Sequence, residues 1–294
     1  MKKKIIFRGA SSALITPFSD GKIDYEALAR LIDLQIEAGI DALVIGGTTG
    51  EAATLSDAER YELYAFSKEK IAGRTKLILG TGTNDTSVAA KHTRFASEIG
   101  ADAALAVTPY YNKGTEEGIY RHYMTLIESA DIPIILYNVP SRTGVNLGYN
   151  LLERLAKEKN IVGIKEAGDS ADRLVKLSAF GDSLPLYAGN DTQIYTNLAL
   201  GGQGVISVLS NILPSVVVKI CRLFDRGELG ASLEMQQKLL PLIESLFLET
   251  NPAPVKYAAE RLGLSGGELR LPLSTVREST KERIDKELLA LGLV

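Results

Sequence analysis

The segment Ile161-Val162-Gly163-Ile164-Lys165-Glu166 places one lysine at the end of an apolar run. Apolar surroundings disfavour a charged ammonium, and a free amine is a nucleophile toward a carbonyl carbon, forming a Schiff base. The other reading of such a lysine is structural: its stem packs while its ammonium pairs with Glu166 or another acid. A second apolar run, Ile134-Ile135-Leu136-Tyr137, leads into Asn138-Val139-Pro140-Ser141-Arg142. A phenol beside the amine can shuttle protons to and from a carbinolamine, and the planar fork of Arg142 suits a carboxylate. In Gly46-Gly47-Thr48-Thr49-Gly50-Glu51, glycines allow close backbone approach and successive N–H groups can cradle a carboxylate or phosphate. A tight turn with two capping threonines explains the same residues. The paired tyrosines of Thr108-Pro109-Tyr110-Tyr111-Asn112 suit either pocket lining or interface packing. Gly189-Asn190-Asp191 reads as a cap for the next helix in preference to a set of side-chain ligands.

These residues need a frame that brings chain segments over a hundred positions apart to one place. Eight short apolar runs alternate with stretches of helical periodicity as far as about residue 225. The runs are Ser12 to Thr16, Ala42 to Ile45, Lys76 to Leu79, Ala103 to Val107, Ile134 to Tyr137, Ile161 to Lys165, Leu184 to Tyr187 and Gly204 to Ser207. Helices are expected over Tyr25 to Ala38, Asp57 to Ile71, Ser87 to Ile99, Glu116 to Ser129, Tyr149 to Lys159 and Ala171 to Phe180. Nearly continuous apolar strands imply burial on both faces, which predicts an α/β chain folded as a (β/α)8 TIM barrel. A doubly wound open sheet uses the same units and is the rival. Beyond the barrel the pattern is helical only: Leu229 to Leu248, Ala253 to Leu262 and Leu273 to Leu291. The expected division is a catalytic barrel over 1–228 and a small C-terminal all-helical domain over 229–294. In a barrel the reacting groups lie at the carboxyl ends of the strands, where Thr48, Tyr137, Arg142 and Lys165 all fall.

Composition narrows the chemistry further. The chain has 294 residues, of which 45% are hydrophobic and 23% charged, so disorder and a disulfide scaffold are set aside. Its net charge of -3 offers no basic excess for nucleic acid or anionic lipid. His92 and His122 are the only histidines and Cys221 the only cysteine, which removes ordinary zinc spacing and makes histidine triads unattractive. A lone cysteine fits a reducing compartment, and the expected location is cytoplasmic. The basic start, Met1 to Lys4, is followed by an apolar run that stops at Arg8, too short for a signal sequence. No later apolar stretch approaches the roughly 18 residues of a membrane span. The glycine-rich pieces Gly80-Thr81-Gly82 and Gly201-Gly202-Gln203-Gly204 lack the spacing of a nucleotide-binding loop.

Taken together the motifs resemble the dihydrodipicolinate synthase (4-hydroxy-tetrahydrodipicolinate synthase) branch of the pyruvate-dependent class I aldolases. The resemblance runs over nearly the whole chain. It is carried by residues 47–51, 107–113, 137–144, 163–166 and 204–207, and by Asn251-Pro252-Ala253-Pro254-Val255-Lys256. It implies that Lys165 condenses with pyruvate and that the enamine attacks L-aspartate 4-semialdehyde, in lysine and diaminopimelate biosynthesis. It further implies that Tyr137, Thr48 and Tyr111 form a proton relay, with Tyr111 supplied by a neighbouring subunit of a homotetramer built as a dimer of dimers. By the same resemblance Thr49 and the backbone around Ile206 hold the pyruvate carboxylate, Gly189 borders the substrate, and Arg142 receives the second substrate's carboxylate. No metal or organic cofactor is implied, since the iminium is itself the electron sink.

Two departures stand out. Gly114 occupies a place where the family usually has proline, which loosens the segment carrying Tyr111. Lysine-sensitive members use a Ser, two His and a Glu at positions held here by Ala52, Asp57, Arg60 and Val88, while Asn84 and Tyr110 are retained. Val88 removes a carboxylate that would meet an ammonium, so weak or absent inhibition by L-lysine is expected. Two other functions are open at this point. One is another Schiff-base pyruvate lyase, such as N-acetylneuraminate lyase or a 2-keto-3-deoxy sugar acid aldolase; the other is a non-enzymatic scaffold that keeps pyruvate recognition.

Overall fold

The computed structural model describes residues 2–294; Met1, which heads the basic stretch noted above, lies outside them. Eight parallel strands close on themselves: β1 (Gly9–Ala13), β2 (Ala42–Ile45), β3 (Lys76–Gly80), β4 (Ala103–Val107), β5 (Ile134–Asn138), β6 (Ile161–Glu166), β7 (Leu186–Ala188) and β8 (Gly204–Ser207). Pairing of β8 with β1, from Gly9 opposite Gly204 to Ser12 opposite Ser207, closes the barrel and excludes the open sheet. A ring of helices surrounds it: α1 (Tyr25–Glu37), α2 (Asp57–Ile71), α3 (Thr86–Glu98), α4 (Glu116–Ser129), the single turn α5 (Pro140–Thr143), α6 (Tyr149–Leu155), α7 (Ala171–Ser178), α8 (Ile194–Ala199) and α9 (Pro214–Asp225). Three helices follow, α10 (Leu229–Ser245), α11 (Ala253–Arg261) and α12 (Glu278–Ala290). No helix among the described residues is long and apolar enough to cross a membrane.

Local chemistry explains where the helices begin. Ser56 and Glu59 form a reciprocal capping box on α2, and Asp85, Thr115 and Ser170 each accept from otherwise unpaired amides at the starts of α3, α4 and α7. Strand alternation then sorts the apolar residues into two layers. Ala42, Val44, Ile78, Leu105 and Ile135 fill the barrel, whereas Leu43, Ile45, Leu77, Leu79 and Leu136 pack outward against the helices.

Several boundaries differ from expectation. The first strand is Gly9–Ala13, not Ser12 to Thr16. Its Ser11 and Ser12 are fully buried, and Ser12 accepts a hydrogen bond from Ser210 at 2.9 Å, so small polar residues occupy the wall where apolar ones were sought. The helix expected from Leu273 starts only at Glu278; ahead of it Arg270 is tied to the barrel loops, donating to Glu59 and to the carbonyls of Thr54 and Gly21. The helix expected to reach Lys159 ends at Leu155. A short hairpin of Phe18–Ser19 and Lys22–Ile23 was not foreseen.

Burial in the helix layer carries a pH consequence. His122, on α4, is 3% exposed with Nδ1 2.9 Å from Thr86 Oγ1, and burial pushes its pKa from 6.5 down to about 4. An unfolded chain takes up this proton near pH 6.5 and the folded chain does not, so stability is lost as pH falls through that window toward 4. Urea unfolding at about pH 7.5 and about pH 4.5 should show wild type losing about 2 kcal/mol more than His122→Gln. Equal losses would contradict the assignment.

Candidate active site

Side chains on a strand alternate, so from Ile161, which packs outward, residues 163 and 165 would also face the helices. The register shows otherwise. Ile134 lies opposite Ile161 but Ile135 lies opposite Gly163, so β6 holds one extra residue at this step, a β-bulge. Val162 therefore faces the interior, Ile164 faces out, and Lys165 turns inward beside Tyr137, its register partner on β5. A Cβ on Gly163 would come 2.7 Å from the Pro185 carbonyl, so the bulge requires glycine there. The Lys165 amine stands 4.3 Å from the centroid of the Tyr137 ring, and both residues are buried.

The outward neighbours of this pair are tied together. Asn138 Nδ2 donates to both oxygens of Glu166 at 3.0 and 2.9 Å, and Arg173 Nε donates to Glu166 Oε2 at 2.9 Å. Asn138 Oδ1 accepts from the Leu147 amide at 3.0 Å, closing the loop that carries Arg142. Every one of these groups is buried and partnered, the condition under which an internal ionic network is tolerable.

Lys165 and Tyr137 open onto a cavity of about 940 Å³ at the carboxyl end of the barrel, lined also by Thr48, Thr49, Arg142, Gly189 and Asp191. Five of the eight expected site residues thus join Lys165 there. Ile206 does not line it; its side chain fills the barrel, leaving only backbone for a substrate role. Tyr111 lies elsewhere: it is 89% exposed, does not line this cavity, and has a left-handed backbone with φ of 70°. No hydrogen bond among the described residues links the Tyr137 hydroxyl with Thr48, although both line the same space. In the glycine-rich turn the amides of Gly50, Glu51 and Ala52 bond back to the carbonyls of Gly47 and Thr48, so these three are unavailable to an anion. The expected cap after β7 is absent, for Asn190 makes no capping bond with its side chain. Asp191 instead accepts from the amides of Val208 and Leu209, each at 2.9 Å, bracing the loop after β8. Burial pushes the Asp191 carboxyl up, against hydrogen bonds from Ser207, Leu209 and Val208. No cluster of three or more His, Cys, Asp or Glu among the described residues is disposed to hold a metal ion.

The C-terminal helices contribute to the cavity in a way not legible from sequence. Ile243, Glu244, Phe247 and Leu248 form part of its wall, and so does Asn251. Asn251 Nδ2 donates to Thr49 Oγ1 at 3.0 Å, and its carbonyl accepts from Arg142 Nη2 at 2.8 Å. The segment Asn251–Lys256 helps to carry the family resemblance, which assigns Asn251 no contact in the site.

The Dihydrodipicolinate synthetase family profile matches residues 6–291. The chain belongs to the dihydrodipicolinate synthetase family. The 4-hydroxy-tetrahydrodipicolinate synthase of Endomicrobium trichonymphae is 42% identical over 290 residues, 98% of this chain and 100% of that one. The crystal structure of dihydrodipicolinate synthase from Thermotoga maritima matches with a TM-score of 0.96 and 41% identity, covering 99% of this chain and 100% of that one. The chloride-inhibited dihydrodipicolinate synthase of Acinetobacter baumannii, complexed with pyruvate, matches with a TM-score of 0.95 and 39% identity over 98% and 100% of the two chains. Coverage at this level includes α10 to α12, so these helices are part of the fold that the family shares.

In this member of the family a second cavity of about 560 Å³ adjoins the first and is lined by Ala52, Asp57, Arg60, Asn84, Val88 and Tyr110. Its charges are already engaged. Arg60 donates to the carbonyl of Ala52 at 2.6 Å, and Asp57 holds His92 at 3.1 Å and Lys91 at 3.0 Å, which keeps its carboxyl below the usual range. Between the cavities, Glu51 adopts a left-handed φ of 54° and forms a buried ion pair with Lys256. Burial pushes the Lys256 amine down and Glu51 opposes it. Glu51 Oε2 also accepts from the Arg270 amide at 3.0 Å. Lys256→Met would strand the Glu51 carboxylate, and urea unfolding should record a loss of about 3–5 kcal/mol. A loss below about 1 kcal/mol, the level of an exposed pair, would contradict the role given to this pair.

Proposed function

We propose that the chain acts as a 4-hydroxy-tetrahydrodipicolinate synthase, condensing pyruvate with L-aspartate 4-semialdehyde in diaminopimelate and lysine biosynthesis. The observation that carries this reading is the buried Lys165 amine against the Tyr137 ring at the base of a cavity that also holds Arg142 and two threonine hydroxyls. The Lys165 nitrogen adds to the pyruvate ketone, and the ketone oxygen leaves as water to give an iminium. Loss of a methyl proton then forms an enamine, whose carbon bonds to the aldehyde carbon of the second substrate. The product cyclises and the amine is freed. Tyr137 handles these protons with Thr48, Thr49 binds the pyruvate carboxylate together with backbone near Ile206 and Gly189, and Arg142 receives the second carboxylate.

Tyr111 completes the relay from a neighbouring subunit of a homotetramer. Its exposure and left-handed backbone support this, since an outward aromatic held in a costly conformation needs a partner. The single buried thiol, Cys221, supports a cytoplasmic setting. Weak inhibition by L-lysine follows from the second cavity, where Val88 offers no charge and Asp57 is already paired.

A coupled assay should show condensation of pyruvate with aspartate 4-semialdehyde and no comparable cleavage of N-acetylneuraminate or keto-deoxy sugar acids. Lys165→Ala should fold, by its thermal midpoint, and lose at least about a thousandfold in kcat/KM, the scale for removing a covalent nucleophile. A variant that retains activity, or a wild type that prefers sugar acids, would overturn the reading. In a steady-state titration, half-inhibition by L-lysine should not occur at micromolar concentration; micromolar inhibition would contradict the account of the second cavity.

A further inference from the structure

Asn251 and Thr49 are 202 positions apart in sequence and meet in the cavity wall, both more than nine-tenths buried. A threonine hydroxyl has one proton to donate and two lone pairs to accept with. The Asn251 amide occupies one lone pair at 3.0 Å, and no acceptor for the Thr49 proton is found among the described residues. The hydroxyl is thereby held as a donor whose proton is unspent, in the space that contains Lys165. The amide does this while its own Oδ1 stays buried without a partner, an arrangement that costs stability and calls for a functional reason.

We propose that Asn251 is a positioning residue of the keto-acid subsite, fixing Thr49 as a hydrogen-bond donor to the substrate carboxylate. This deepens the synthase reading above and rests on it. The backbone carbonyl of the same residue accepts from Arg142 Nη2 at 2.8 Å. Replacing the side chain leaves that carbonyl in place, so the effect should fall on pyruvate more than on the aldehyde substrate.

Two replacements separate positioning from packing. Aspartate has the shape of asparagine but, ionised, only accepts. Thr49 would then donate to residue 251, turn its lone pairs toward the substrate carboxylate, and face an added negative charge. Alanine merely frees the hydroxyl rotor. The pyruvate KM should rise by several-fold in Asn251→Ala and by about tenfold more in Asn251→Asp, with the aldehyde KM of Asn251→Ala changing by less than about threefold. A packing role predicts the opposite order, because alanine leaves a hole and aspartate does not. Thermal midpoints establish that each variant folds. Should Asn251→Asp fail to fold, the cycle with Thr49→Val decides: adding Asn251→Ala to Thr49→Val should raise the pyruvate KM no further. An alanine effect equal to or larger than the aspartate effect, or independent additive effects in the cycle, overturns the proposal while leaving the synthase reading intact. A wild type that does not turn over pyruvate overturns both.

Discussion

A β-strand can show only alternate side chains to one face, and β6 changes that sequence of faces once, at Val162 and Gly163. The extra residue is what brings Lys165 into the barrel; with uninterrupted alternation from Ile161 the amine would lie among the helices and Glu166 would point to the centre. Gly163 is confined by the Pro185 carbonyl just before the next strand, so the bulge is fixed by the packing of β6 against the start of β7 and not by the site. The network of Asn138, Glu166 and Arg173 then holds the outward side of the same two strands. Orientation of the Lys165 amine is therefore a property of the wall.

A second constraint comes from the far end of the chain. Lys256 pairs with Glu51, the Arg270 amide bonds to that same carboxylate, and Asn251 reaches Thr49 and Arg142. All these contacts join the C-terminal segment to the loops after β2 and β5. A barrel alone supplies an amine and a phenol, but in this chain Thr49 and Arg142 are held from outside it. The left-handed backbone at Glu51, costing about 1–3 kcal/mol, persists because the ion pair and the Arg270 amide both require that geometry.

Much of this was legible in advance, for physical reasons. Strands buried on both faces read as apolar runs, and seven of the eight lie where those runs are. The exception, β1, is built from Gly9 and two buried serines, of which Ser12 accepts from Ser210 inside the wall, so hydropathy misses it. Helices were legible from periodicity, and their starts are set locally by Ser56, Asp85 and Thr115, whose caps act within three residues. Lys165 and Tyr137 could be paired from strand order, but the inward turn of the lysine could not, because the bulge depends on an interstrand register that no local pattern records. Asn251 stands in a segment the resemblance singles out, but its contacts were hidden, because they form across 202 and 109 positions from a stretch that by composition is a loop rich in proline. Tyr111 was placed at an interface by resemblance, and its exposure leaves it without a role inside one chain.

The central claim is that the amine turned inward by the bulge captures a keto acid covalently. Incubation with pyruvate followed by borohydride reduction, with peptide mapping by mass, tests it most directly. The account predicts one reduced pyruvate adduct per chain, on the peptide containing Lys165. An adduct confined to another lysine, or none at saturating pyruvate, would contradict it.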